Sequence, residues 1–195
     1  MESGILEQYV LGCTSPGETR EIELLAAADP ATRMEITAIS EALMAYAMDH
    51  AIEPGPLVKP LLLATIDYTE RIKNGEPVTV PPVLNEHSTI EQYAGWLNRD
   101  DMVYHGPENI YAKIIGHTAA ATTAIIWLKE DAPEEVHDHE IERFLVVEGS
   151  CNIMVGDEVN ELMPGDYFAI PLYKTHRVKV TSTFPCKIIL QRTAA

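Results

Sequence analysis

Three histidines in the second half of this chain have the spacing to bind a metal. His137 and His139 lie two apart. On a strand, alternate side chains share a face, so both imidazoles would look into one interior. His176 precedes Val178 and Val180, with Arg177 and Lys179 between. That alternation turns His176 inward and the basic side chains outward. Three inward imidazoles plus a carboxylate suit a first-row transition metal, with Zn²⁺ ahead of Fe²⁺, Mn²⁺ or Ni²⁺. The competing reading is a metal-free cluster of hydrogen-bonded histidines. His50, His87, His105 and His117 read as structural or solvent-exposed. Cys13, Cys151 and Cys186 are odd in number and widely spaced, which excludes a disulfide framework.

The elements that must position these histidines are short β-branched runs. They cover residues 110–115, 124–128, 144–147, 152–155, 167–170, 177–180 and 187–190, separated by turns such as Glu148-Gly149, Gly156-Asp157 and Pro164-Gly165-Asp166. Many short strands without helices between them indicate a β-sandwich or barrel. The first 73 residues read instead as helices. Ser3 caps a first helix that Gly12 ends. Ser15-Pro16-Gly17-Glu18 is a capping box opening a second, and Asp29-Pro30 opens a third that runs to about residue 51. A fourth helix spans 57–73. Leu57, Leu61, Ala64, Tyr68 and Ile72 form one stripe, widened by Leu62, Leu63 and Ile66. So much apolar surface needs a partner, either the preceding helices or another protein. The fold class is therefore α+β: a small N-terminal helical bundle over 1–73, a linker over 74–90, and an all-β domain over 91–195.

The 195 residues carry a net charge of −16 and are 46% hydrophobic. An acidic chain without basic clusters does not bind nucleic acid directly, but it suits a basic protein partner. No run of about 18 apolar residues is present, so no membrane span is expected. The N-terminus carries Glu2 and Glu7 and no basic residue. It does not read as a secretory signal, and the expected location is cytoplasmic.

The stretch His137-Asp138-His139-Glu140-Ile141-Glu142-Arg143-Phe144-Leu145-Val146-Val147-Glu148-Gly149 resembles the first cupin motif. Gly165-Asp166-Tyr167-Phe168-Ala169-Ile170-Pro171, ending at His176, resembles the second. The resemblance covers roughly 109–192. It implies a double-stranded β-helix holding a metal through His137, His139, Glu142 and His176. Glu142 lies one residue closer to His139 than the family pattern has it, a slip that turns it to the opposite face unless a bulge restores it, and Glu140 is the rival ligand. The family's glycine after the proline falls on Tyr173. Tyr167 and Tyr173 are the expected pocket side chains.

Residues 1–70 resemble a second family. Glu2 through Gly12, then Ser15-Pro16-Gly17-Glu18 and Leu24-Leu25-Ala26-Ala27-Ala28-Asp29-Pro30, look like the RskA-like sigma-binding domain of anti-sigma factors. A helical domain of this kind before a cupin is the layout of ChrR-like anti-sigma factors. That resemblance implies a regulator that occludes an extracytoplasmic-function sigma factor and responds to stress through its cupin. The ChrR-like His-and-Cys zinc motif is absent from the helical half, where Cys13 is the only cysteine. Leu57, Leu61, Leu62 and Tyr68 are the expected partner-binding residues. The alternatives are a cupin metalloenzyme of dioxygenase or isomerase type, with Glu142, Tyr167 and Tyr173 as its acid-base groups, and a homodimeric structural or storage cupin. No second catalytic constellation is visible, so no catalytic residue is assigned.

Overall fold

The structure is a computed structural model that describes residues 4–195. It has the expected α+β layout, with helices first and a β-sandwich after them. By its contacts the chain divides into two compact units, residues 1–54 and 55–195.

The first unit holds α1 (Ile5–Val10), α2 (Pro16–Ala28) and α3 (Pro30–Asp49). The expected cap at Ser3 lies outside the described residues. Ser15 opens α2 as the sequence predicts. Its hydroxyl accepts from the Glu18 amide while the Glu18 carboxylate accepts from the Ser15 amide. Asp29 caps α3 through the amides of Ala31 and Thr32. Among the described residues of this unit, Leu6 and Ile22 are the buried large side chains, whereas Leu24, Met34, Met44, Tyr46 and Met48 are exposed.

The second unit begins with α4 (Val58–Lys73). The sequence grouped this helix with the first three, but it packs along β1 (Ile110–His117). Ala64 is buried in the β-domain core, with Leu57 and Tyr68 packed against the same core. Polar contacts reinforce the seat. Arg71 donates to the Ile114 carbonyl, and Asp67 lies 3.5 Å from the buried Lys113 ammonium. By contacts, the boundary therefore falls before α4 rather than after it. The physical reason is the inward stripe itself, which found a larger apolar surface on the sheet.

Residues 74–90, expected as a linker, are an irregular strap laid on the β-domain. Leu84 is buried, its amide donates to Gln191 Oε1 at 2.9 Å, and Gln191 Nε2 donates to the Pro82 carbonyl. A 3₁₀ turn (Ile90–Tyr93) and α5 (Ala94–Leu97) continue it. Proline-rich composition disguised this segment, because its order comes from side-chain anchors rather than from a backbone period.

The remaining strands are β2 (Ala121–Leu128), β3 (Glu140–Glu148), β4 (Cys151–Val155), β5 (Glu158–Leu162), β6 (Tyr167–Ala169), β7 (His176–Val180) and β8 (Cys186–Ala194). All pairings are antiparallel. One sheet has the order β1-β2-β8-β3-β6 and the other β5-β4-β7. β5 was missed because Glu158-Val159-Asn160-Glu161 carries little apolar signal; it pairs with β4 across the Gly156-Asp157 turn. The larger sheet is apolar on both faces. Ala112, Ile126, Phe144 and Ile188 face the inner core, while Ile125, Trp127, Leu145 and Ile189 face a second core under the strap. Gly149 makes the turn after β3 at φ +76°, and a Cβ there would lie 2.7 Å from Ser182 Oγ.

Candidate metal centre

Glu142 sits on the inner face of β3, in step with Phe144 and Val146. Its cross-strand partner on β8 is Arg192. His176 opens β7, and a two-residue bridge joins it to Glu135, each amide donating to the other's carbonyl at 2.9 Å. His137 follows two residues after Glu135, its carbonyl held by the Tyr173 amide at 2.8 Å. Glu135, His137, Glu142 and His176 thereby offer four ligand atoms within 4.8 Å of one another.

His137, Glu142 and His176 are brought together as expected. His139 is not. Its side chain is 89% exposed and lies beside Asp138. The reason is local: 137–139 precede β3, so strand alternation does not apply to them. Glu135 and His137, also two apart, do reach the same side, held there by the Glu135 bridge to His176 and by the Tyr173 amide on the His137 carbonyl. The Glu135-Val136-His137 spacing carried that signal in the sequence. Glu140 is exposed, so of the two rivals Glu142 joins the cluster, alongside Glu135, and it needs no bulge before it. Tyr167 packs against the outer core, and Tyr173 is exposed, so neither lines the site. Tyr173 instead takes the left-handed backbone of the glycine it replaces, with φ +59°.

Geometry and charge both favour a cation. His137 Nε2 and His176 Nε2 each lie 3.2 Å from the same oxygen, Glu142 Oε2. His176 Nδ1 faces the Lys174 carbonyl at 3.5 Å. With its proton on Nδ1, His176 would turn the Nε2 lone pair toward the site, as a metal ligand does; with the proton on Nε2 it donates to Glu142 instead. Glu142 is 2% exposed. Burial alone would raise its pKa, but the hydrogen bonds from His137 and His176 and the charge of Arg192 outweigh burial and hold it well below the usual carboxylate range. Burial, with the Glu142 charge beside it, pushes Glu135 up, against the pull of Arg192. Glu142, through its hydrogen bond, pushes His137 up against the effect of burial. Arg192 Nε donates to Glu142 Oε1 at 2.9 Å and its terminal nitrogen to Glu135 Oε2 at 3.3 Å. It steadies both carboxylates from behind and leaves Oε2 of Glu142 to the histidines. Arg192 gave no sequence signal, because its role depends on the register of β8 against β3.

These residues fit a divalent metal held by two imidazoles and two carboxylates. Such an ion would supply Lewis acidity and fixed positive charge in a buried setting. Above the cluster lies a cavity of about 60 Å³. Glu135, Glu142, His176 and Arg192 form its polar end, and Leu57, which precedes α4, with Pro60 and Leu61 on it close it on one side. Leu57, Leu61 and Tyr68 are therefore turned toward this chain's own β-domain, whereas Leu62 is 57% exposed.

The family described as "Cupin domain" matches residues 124–191, and this region is a cupin domain. No curated protein matches the chain. Among solved structures, the Schizosaccharomyces pombe Cnp3 cupin domain is similar at 9% identity, covering 47% of this chain and 69% of that one, with TM-score 0.44. KdgF from Halomonas sp. is similar at 21% identity over 46% and 84%, with TM-score 0.41. TT1209 from Thermus thermophilus is similar at 19% identity over 48% and 91%, with TM-score 0.45.

Proposed function

We propose that this chain is an anti-sigma factor: its N-terminal helical unit binds and masks an extracytoplasmic-function sigma factor, and its cupin domain senses a stress signal through a bound divalent metal, with Zn²⁺ as the leading candidate. The observation that carries the partner-binding half is the surface of the first unit. Met34, Met44, Tyr46 and Met48 on α3 are each more than 60% exposed. An amphipathic domain that leaves methionines and a tyrosine in water has surface to give to a protein partner. The chain's charge of −16 complements a basic, DNA-binding protein. Among the described residues, no helix is long and apolar enough to cross a membrane. The expected location is the cytoplasm, where such a partner works.

The test uses the purified full-length protein and each extracytoplasmic-function sigma factor of the same genome. One of them should form a stable complex and lose promoter-dependent transcription in its presence. Met34→Asp with Met48→Asp should weaken the complex by about 10-fold or more, as expected for hot-spot side chains. Absence of any complex at low salt would remove the sigma-binding reading.

The metalloenzyme reading is favoured by one observation, the cavity beside the cluster. Its titratable lining residues, Glu135, Glu142, His176 and Arg192, are already engaged with one another. Among the described residues no separate acid or base lines it, which leaves the sensing role ahead.

A further inference from the structure

The cavity under α4 has a definite chemistry. Its walls are hydrocarbon: Leu57 before the helix and Leu61 on it, with Ile110, Ile126, Phe144 and Leu190 among the sheet side chains opposite. Polar groups gather at one end only. There Glu135 and Glu142 carry two negative charges against the one positive charge of Arg192. A divalent ion on the four donors turns that balance from one net negative charge to one net positive charge.

We infer that this cavity is a binding chamber for a small aliphatic monocarboxylate, taken up only when the metal is bound. The inference rests on the metal reading of the Glu135–His137–Glu142–His176 cluster. One anionic head neutralises the residual positive charge, whereas a second carboxylate would be stranded among hydrocarbon. Neutral ligands gain nothing from the charged end. At about 10–15 Å³ of such space per water-sized group, the cavity of about 60 Å³ takes about four to six heavy atoms. That range describes acetate, propionate and the butyrates. Leu57 and Leu61 set the length limit, because they are the wall supplied from outside the sheets.

The experiment titrates the full-length protein, Zn²⁺-loaded and chelator-stripped, with acetate, propionate, butyrate, isobutyrate, hexanoate, malonate and isobutyramide, followed by calorimetry and by NMR of the ligand. Zn²⁺ stoichiometry is measured first. The loaded protein should bind the short acids with a gain of about four-fold per methylene up to butyrate. Hexanoate, malonate and isobutyramide should bind at least about 10-fold more weakly, and the stripped protein should show no saturable binding. Leu61→Ala should move the optimum to longer acids. Leu61→Trp should abolish acid binding while the protein retains its zinc. Should the tryptophan variant fail to fold, the chain-length shift in Leu61→Ala carries the test. Equal binding to stripped protein, or no shift in Leu61→Ala, would overturn the chamber. If zinc binds and no short acid does, the chamber alone falls. If no divalent metal binds, the metal reading falls and the chamber falls with it.

Discussion

At the scale of single residues, the metal cluster depends on which of the flanking groups supplies a ligand atom. His137→Ala and Glu142→Gln should each lower zinc affinity by more than about 100-fold, and Arg192→Met by about 10–100-fold through its hold on both carboxylates. His139→Ala should stay within about three-fold of the parent, because the exposed ring lies outside the cluster. Competition against a chromogenic chelator reads all four, and equal losses in His139→Ala and His137→Ala would break the assignment. His176 was legible from alternation with Val178 and Val180, since β7 is a true strand there. His137 was legible by spacing, though its partner was Glu135 and not His139. Period-two reasoning fails wherever the assumed strand has not yet begun. Arg192 was illegible for a different reason: only the central position of β8 in the sheet brings it opposite Glu142.

At the scale of elements, α4 and the strap are held to the sheet by contacts that no local pattern announces. Glu76 joins them. It accepts from Arg99 at 2.7 and 2.9 Å and from Arg71 on α4. Arg99, despite some burial, holds the Glu76 carboxyl down at about 2, from an ordinary 4.5. A depressed carboxylate stabilises the fold above its unfolded pKa and loses that contribution as the pH falls through its folded one. Glu76→Gln should therefore cost about 2 kcal/mol near neutrality. In thermal melts the gap to the parent should shrink steadily from pH 4.5 and close near pH 2. A gap that persists unchanged at pH 2 would show that the carboxylate charge is not its source. The Tyr68 hydroxyl poses the opposite case, being buried with no hydrogen-bond partner among the described residues. Tyr68→Phe should be neutral or stabilise by up to about 1 kcal/mol, because it removes a desolvated group and keeps the ring. The fourth helix was readable from its stripe; its partner was not, because a stripe declares that it must be covered and not by what.

At the scale of the whole molecule, the division of contacts predicts where the chain can be cut. A fragment of residues 55–195 should melt within a few degrees of the cupin transition in the full protein. One of residues 74–195 lacks the α4 seat, including Leu57, Leu61, Ala64 and Tyr68. That burial is worth about 4–8 kcal/mol, so the shorter fragment should melt roughly 10 °C lower or more and bind a hydrophobic dye. Equal melting of the two fragments would return α4 to the helical half. The α+β layout was readable because the hydrophobic period changes along the chain, but the line between the halves was not, since a helix sits on the β side of it. One buried amide ties these scales together. Gln191 on β8 grips Thr123 on β2 and the strap at Pro82 and Leu84 at once. The Leu84 N–H lies in neither helix nor strand, yet it can exchange with solvent only when that knot opens. In deuterium its proton should persist as long as those of the central strands, making a stretch of irregular backbone one of the slowest clocks in the protein.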